Sequence, residues 1–257
     1  MKTAKYRIAN FIGFVAMVTI NYLSNYIPFN GLTQAQISEK YANFFVPAGV
    51  TFAIWGVIYL LLGVFVFHQA IGLLRNRFEK DSEYLHKIGW LFFLSCLANI
   101  AWLFAWHYQR LFLSVIIMLV LLITLAVIYR RLDIGRREVS KKMKYIVHLP
   151  FSIYLGWISV ATIANVSALF VDLGWIGFGL VGTIWTIIAI AMAIYLGHLI
   201  LRTRGDIAYT AVIIWALLGI LIKRLKVDTY PDTGVVIVTI VGILLLSYSI
   251  FKDIRSN

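Results

Sequence analysis

The chain has 257 residues, 61% of them hydrophobic, and a mean hydropathy of +0.88. Soluble domains are about 45–50% apolar, so this composition excludes a soluble domain and makes the bilayer the solvent. The formal net charge of +12 does not imply a nucleic-acid partner, because the basic residues fall in the gaps between apolar runs and form no continuous basic face.

Taken in chain order, the apolar runs long enough, or nearly so, to cross about 30 Å of hydrocarbon are 8–29, 47–74, 88–107, 111–129, 145–171, 174–201, 207–222 and 234–251. The first follows Lys2, Lys5 and Arg7 and imitates a signal peptide. With no small-x-small cleavage site before the polar residues begin, it reads as a retained span. Between the first two runs lies Thr33-Gln-Ala-Gln36, a capping box that predicts a short helix toward Lys40, bracketed by Pro28, Gly31 and Pro47. Such a helix is a lid over the bundle or a connector. In the sixth run Gly174, Gly177, Gly179 and Gly182 predict close helix packing, and the last three spans read as a packing or dimerisation module, with a homodimer as one partner. The fold expected is an all-α integral membrane protein of about eight spans, divided into 1–172 and a three-helix extension, 173–257.

Charge sets the orientation. With the N-terminus cytoplasmic, the inner segments hold Lys2, Lys5, Arg7, Arg75, Arg77, Lys80, Lys87 and the run from Arg130 to Lys144, among others. Of the 23 basic residues only Lys40, Arg110, Lys223, Arg224 and Lys226 then fall outside, and the last three make the final hairpin disagree with the rule.

Helical spacing groups certain side chains into stripes. Phe52, Trp55, Tyr59 and Gly63 recur at three, four and four on the second span; Asn99, Trp102 and Trp106 do so on the third; Tyr154, Trp157, Ala161 and Asn165 do so on the fifth. Asn21 and Asn25 add a pair on the first. An unpaired amide facing lipid costs several kcal/mol, so the stripes are expected to turn inward. Taken singly, each Trp or Tyr also fits an interface anchor and each Asn an interhelical bond. Together they describe an aromatic-and-amide cavity for a planar, mostly apolar ligand.

These residues carry a resemblance. Tyr154-Leu-Gly-Trp-Ile-Ser-Val-Ala-Thr-Ile-Ala-Asn165 is similar to the Tyr-Leu-Ala-Trp-Val-Ser-Phe-Ala-Thr-x-Leu-Asn signature of the TspO/MBR family, the tryptophan-rich sensory or translocator proteins. Asn99-Ile-Ala-Trp102 resembles its Asn-x-x-Trp, and Trp55, Tyr59 and Gly63 its Trp-x-x-x-Tyr-x-x-x-Gly. The resemblance covers roughly 8–171 and implies a five-helix bundle, here in a longer bacterial variant with about three additional spans. It implies a pocket near the loop joining spans one and two, in a family associated with binding tetrapyrroles such as protoporphyrin and haem, sterols and synthetic aromatic ligands. The cavity expected here lies between spans one, two, three and five. In it Trp55 and Trp157 would stack on the ligand, Tyr59 and Tyr154 would bond its polar edge, and Asn99 and Asn165 would fix helices or ligand. Phe52, Trp102 and Ala161 complete the expected ligand-binding set. Departures are visible: Pro47-Ala48-Gly49-Val50 replaces a double proline and tryptophan, and the proline near Tyr154 is displaced to Pro150. No tyrosine or basic residue lies within 166–171, where a sterol motif is expected. Val127-Ile-Tyr129-Arg-Arg131 fits that loose pattern instead.

No acidic residue lies inside an apolar run, which argues against proton- or sodium-coupled carriage. Cys96 stands alone, so neither an intrachain disulfide nor a cysteine zinc cluster forms, and His68, His86, His107, His148 and His198 show no metal-ligand spacing. No catalytic residue, metal or required cofactor is expected. The leading function is a binding and sensory protein for tetrapyrrole-like ligands in a bacterial cell membrane, partnered by lipid and a hydrophobic small molecule. The alternatives are a transporter of hydrophobic metabolites and a porphyrin-degrading photochemical enzyme.

Overall fold

The structure, a computed structural model, describes residues 3–27, 29–74, 82–177, 179–226 and 232–256. Lys2, Pro28, Arg75, Arg77 and Lys80, on which parts of the sequence reading rest, lie outside the described residues.

Among the described residues every regular element is helical. The order is α1 (Ala4–Tyr26), α2 (Gln34–Lys40), α3 (Ile54–Leu74), α4 (Ser82–Ile88), α5 (Leu91–His107), α6 (Leu111–Arg131), α7 (Lys141–Met143), α8 (Leu149–Asp172), α9 (Leu180–Arg204), α10 (Ile207–Lys226) and α11 (Thr233–Ser256). Short 3-10 turns at Phe29–Gly31 and Gly49–Ala53 flank the loop around α2. Seven helical stretches among the described residues are long and apolar enough to span a bilayer, and the chain is an all-α integral membrane protein. Leu91–His107 is apolar but has 17 residues, about 25 Å at 1.5 Å each, slightly under the hydrocarbon thickness.

Three expectations from the sequence are corrected by local backbone chemistry. The third span does not begin at Ile88. Gly89 takes φ +55, a left-handed conformation that costs glycine little, so α4 ends at Ile88 and α5 starts afresh at Leu91. Nor are Gly174, Gly177 and Gly179 helix-packing residues. Gly174 and Gly179 have φ +70 and +97, and all three form the turn ahead of α9, leaving Gly182 alone inside it. The fifth span starts earlier than Tyr145: α7, a π turn at Lys144–His148 and α8 run on as the stretch Lys141–Asp172. Pro150 lacks the N–H that would serve the Ile146 carbonyl. The ladder widens directly before it, with Leu149 N–H bonding to the Lys144 carbonyl.

The chain divides into two compact units, interleaved in sequence: Met1–Gln34 with Trp55–Leu155, and Ala35–Ile54 with Gly156–Asn257. The core of the first is a ring cluster. Phe65 of α3, Phe92 of α5 and Phe151 of α8 meet edge-on, with centroids 5.3, 5.1 and 5.9 Å apart, and all three are fully buried. Beside it α1 and α5 approach closely at Gly13, where a Cβ would lie 2.8 Å from the Phe93 ring and 3.3 Å from Cys96 Cβ.

In the second unit α9, α10 and α11 pack on one another. Gly197 of α9 admits Leu246 and Ile213, and its carbonyl accepts from Thr210 Oγ1 at 3.1 Å. Gly156 of α8 serves the same purpose toward α10, since a Cβ there would stand 3.1 Å from the Tyr209 carbonyl oxygen and 3.1 Å from Val212 Cβ. In both units Leu60, Phe67, Ile123, Leu244 and other large apolar side chains remain exposed. Lipid covers such faces at no hydrophobic penalty.

Candidate functional site

In the first unit the amides form a chain. Asn21 of α1 donates through Nδ2 to Asn99 Oδ1 of α5 at 2.8 Å and to its own-helix Met17 carbonyl at 2.9 Å. Asn99 Nδ2 donates to the Tyr154 hydroxyl oxygen at 3.2 Å. Asn21, Asn99 and Tyr154 are 2% exposed or less, so three helices are joined by polar bonds where no water competes. Rings extend the cluster: Trp55 lies edge-on to Tyr154 at 6.2 Å and stacks on Tyr59 at 5.5 Å with 22° between planes. Trp55 is buried, whereas Tyr59 is half-buried and lies, with Gly63, Phe67 and His68, along a shallow, open groove of about 480 Å³ lined by α3 residues. Gly63 also gives room to the Phe14 ring of α1, 3.3 Å from its would-be Cβ.

Trp102 stacks on Trp106 at 5.9 Å, and both are buried. That burial sets them apart from lipid-facing anchors. Around them the start of the first loop is fastened to the end of α5. Phe29 stacks on Phe104 at 5.1 Å and meets His107 edge-on at 5.6 Å, and Asn30 Nδ2 donates to the His107 carbonyl at 3.3 Å. Gln34, the first residue of α2, gives its amide to Asn21 Oδ1 at 3.4 Å and its carbonyl to Trp106 Nε1, also at 3.4 Å. The helix expected from the capping box therefore forms, and its first residue is anchored at two points.

The second unit holds the rest of the expected set. Phe52 lies edge-on to Trp157 with centroids 6.1 Å apart. Trp157 and Asn165 are buried and Ala161 is half-buried, all on α8. The turn carrying Phe52 is held by α10: Ala48 N–H donates to the Gly219 carbonyl at 2.9 Å, and Trp215 Nε1 donates to the Thr51 carbonyl at 3.0 Å. The Tyr209 hydroxyl donates to Ser159 Oγ at 2.9 Å, and Trp185 Nε1 to Ser167 Oγ at 2.9 Å. Those two serines of α8 thus answer to α10 and α9.

Of the residues singled out by spacing, Trp55, Tyr59, Asn99 and Tyr154 come together in the first unit, with Trp102 beside Trp106. Phe52 and Trp157 come together in the second. Asn21 proves central although only its spacing from Asn25 marked it; Asn25 turns back to its own helix, donating to the Asn21 carbonyl. Gln34 and Trp215 carried no signal toward these contacts. A loop amide and a distant indole find their partners only after the helices have packed.

A comparison with curated proteins finds no match, and neither does one with solved structures. The family description "TSPO-like protein" matches residues 7–251, a stretch that takes in the aromatic–amide cluster and continues through the last three spans. With the match covering nearly the whole of the chain, this protein belongs to the TSPO-like family.

Proposed function

We propose that the protein is a membrane-embedded binding and sensory protein for planar hydrophobic ligands of the porphyrin and haem class. The ligand's seat is the aromatic–amide cluster of the first unit. The reading is supported above all by the buried chain Asn21–Asn99–Tyr154 with Trp55 edge-on to it, a flat apolar face next to polar groups held in fixed positions. Trp55 would stack on the ligand, Tyr59 would meet its rim, and Asn99 and Tyr154 would hold the wall in place. The Phe52–Trp157 pair of the second unit is proposed as a separate contributor. The distribution of basic residues supports a cytoplasmic N-terminus.

The deciding experiment titrates purified full-length protein in neutral detergent with protoporphyrin and follows quenching of tryptophan fluorescence. Trp55→Phe is expected to weaken binding at least about tenfold, roughly 1.4 kcal/mol. Equal affinity in wild type and variant removes Trp55 from the site. A new absorbing product under light, or flux into sealed vesicles, replaces the sensory reading by turnover or transport.

A further inference from the structure

A second polar cluster sits in the first unit near the start of α1, well away from the amide chain. Arg7 is 1% exposed, and Asn10 and Gln69 are fully buried. Arg7 Nη1 donates to the Gln69 carbonyl at 2.7 Å, and Asn10 Nδ2 donates to Gln69 Oε1 at 3.0 Å. Among the described residues, four buried polar atoms of this cluster have no partner: Arg7 Nε and Nη2, Gln69 Nε2 and Asn10 Oδ1. Exchanging O and N in both amides would swap the names of the open donor and acceptor and leave their number unchanged.

A buried guanidinium with one carbonyl for company is a costly arrangement, because an interior charge needs a counter-charge or further hydrogen bonds. Here the chain makes space for it: at Gly72 of α3 any Cβ would overlap Arg7 Nη1. The N-terminal turns of α1 disfavour a cation; the C-terminal turns of α3, where Gln69 and Gly72 lie, favour one, but they leave the remaining N–H groups open. Three open donor nitrogens on two helices and one open acceptor describe a receptor for an anion with several oxygens and a hydroxyl nearby.

The depth of the cluster fits such a ligand. Tyr6, next to Arg7, is edge-on to Trp90 at 5.4 Å, and the exposed Lys5 places its ammonium 5.2 Å from the Tyr6 ring centre and 5.8 Å from that of Trp90. Tyrosine, tryptophan and lysine gathered at a span's end mark the headgroup level of a bilayer. We propose that Arg7, Asn10 and Gln69 form a binding site for a phosphate oxyanion at the membrane surface, supplied by an anionic lipid headgroup or by free phosphate. The site is independent of the aromatic cluster and of the ligand proposed for it.

The test uses full-length protein in neutral detergent and reads the midpoint of thermal unfolding. One arm adds inorganic phosphate; the other adds short-chain phosphatidylglycerol, with the same amount of phosphatidylcholine as its control. The expected result is an upward shift of several degrees in one arm. A shift with inorganic phosphate assigns the free anion, and a shift with phosphatidylglycerol alone assigns the lipid. Arg7→Gln abolishes the shift, whereas Lys5→Gln keeps most of it. If Arg7→Gln does not fold, Asn10→Leu and Arg7→Lys are read in its place, each expected to reduce the shift at least by half. The proposal is overturned if neither phosphate source moves the wild-type midpoint, or if the variants respond as the wild type does.

Discussion

The indole N–H of Trp215 donates to the carbonyl oxygen of Thr51 at 3.0 Å, joining residues 164 positions apart. Next to this bond Gly219 receives the Ala48 N–H on its carbonyl and lies against the Thr51 side chain. The turn that leads into the second span, with Phe52 on it, is therefore built on a helix from the C-terminal part of the chain. Of the last three spans, α10 thus has a task within its own unit beyond filling membrane.

Gly219→Ala follows from this relationship. A Cβ at position 219 would overlap Thr51 Oγ1, close to the Thr51 backbone where little can swing aside. The expected cost is about 1–3 kcal/mol, read as a lowered unfolding midpoint in detergent. Pairing it with Thr51→Ala should restore much of the loss, and an equal midpoint in the double and single variants would show that the overlap is not the cause.

Gly156→Ala tests the other close approach to α10. The TspO-like signature has alanine at this position, whereas here a Cβ would meet the Tyr209 carbonyl oxygen and Val212 Cβ, each at 3.1 Å. A loss of roughly 1 kcal/mol is expected, together with weakening of the Tyr209–Ser159 bond that the same helix pair makes. Tyr209→Phe should then cost less in the Gly156→Ala background than in wild type, as a double-mutant cycle would measure.

Tyr154→Phe removes the acceptor of the Asn99 amide and nothing else of the ring. In a membrane interior such bonds are worth roughly 0.5–1.5 kcal/mol. Asn99→Leu should cost more, because it strands Asn21 as well as Tyr154. Thermal unfolding of the two variants in detergent checks the order, and the reverse order would mean that Asn99 is not the hub.

Trp157→Ala is expected to weaken protoporphyrin-induced quenching beyond the loss of one fluorophore. Affinity from the titration midpoint separates the two effects. An unchanged midpoint would remove Trp157, and with it the Phe52 pair, from ligand binding.

At the polar end of the first unit, Glu83 accepts from Arg137 Nη1 at 2.7 Å and pairs with Lys87 Nζ at 3.1 Å. The Arg137 bond first, and the Lys87 bond after it, lower the carboxyl pKa from 4.5 to about 2. A depressed folded value contributes stability above the unfolded one and loses it as pH falls, here from about 4.5 toward 2. The pair is exposed, so the contribution is small and screened by salt. Glu83→Gln should flatten that part of the acid-unfolding profile; a profile that keeps its shape would assign the step to other carboxylates.

Much of the fold was legible because its causes are local. Each span announces itself by apolar length, and the stripes of Trp55, Tyr59, Asn99, Tyr154 and Trp157 follow from helical spacing alone. Breaks set by single residues were harder to read: Gly89 divides α4 from α5, and three glycines near 177 make a turn where packing was expected. A glycine's spacing looks alike in both roles, and only its backbone angle tells them apart.

What the sequence by itself determined is the solvent, the helices and the inward-facing chemistry of amide and ring. An unpaired polar group in hydrocarbon is too costly to leave undecided. Which groups would meet was decided by tertiary structure: Asn21 with Asn99, Gln34 with Trp106, Trp215 with Thr51. Between helices in lipid there is no hydrophobic gradient to choose a neighbour. The choice falls to close steric fit at residues such as Gly13, Gly156 and Gly219 and to a few directional bonds, and neither exists until the packed helices bring distant positions together.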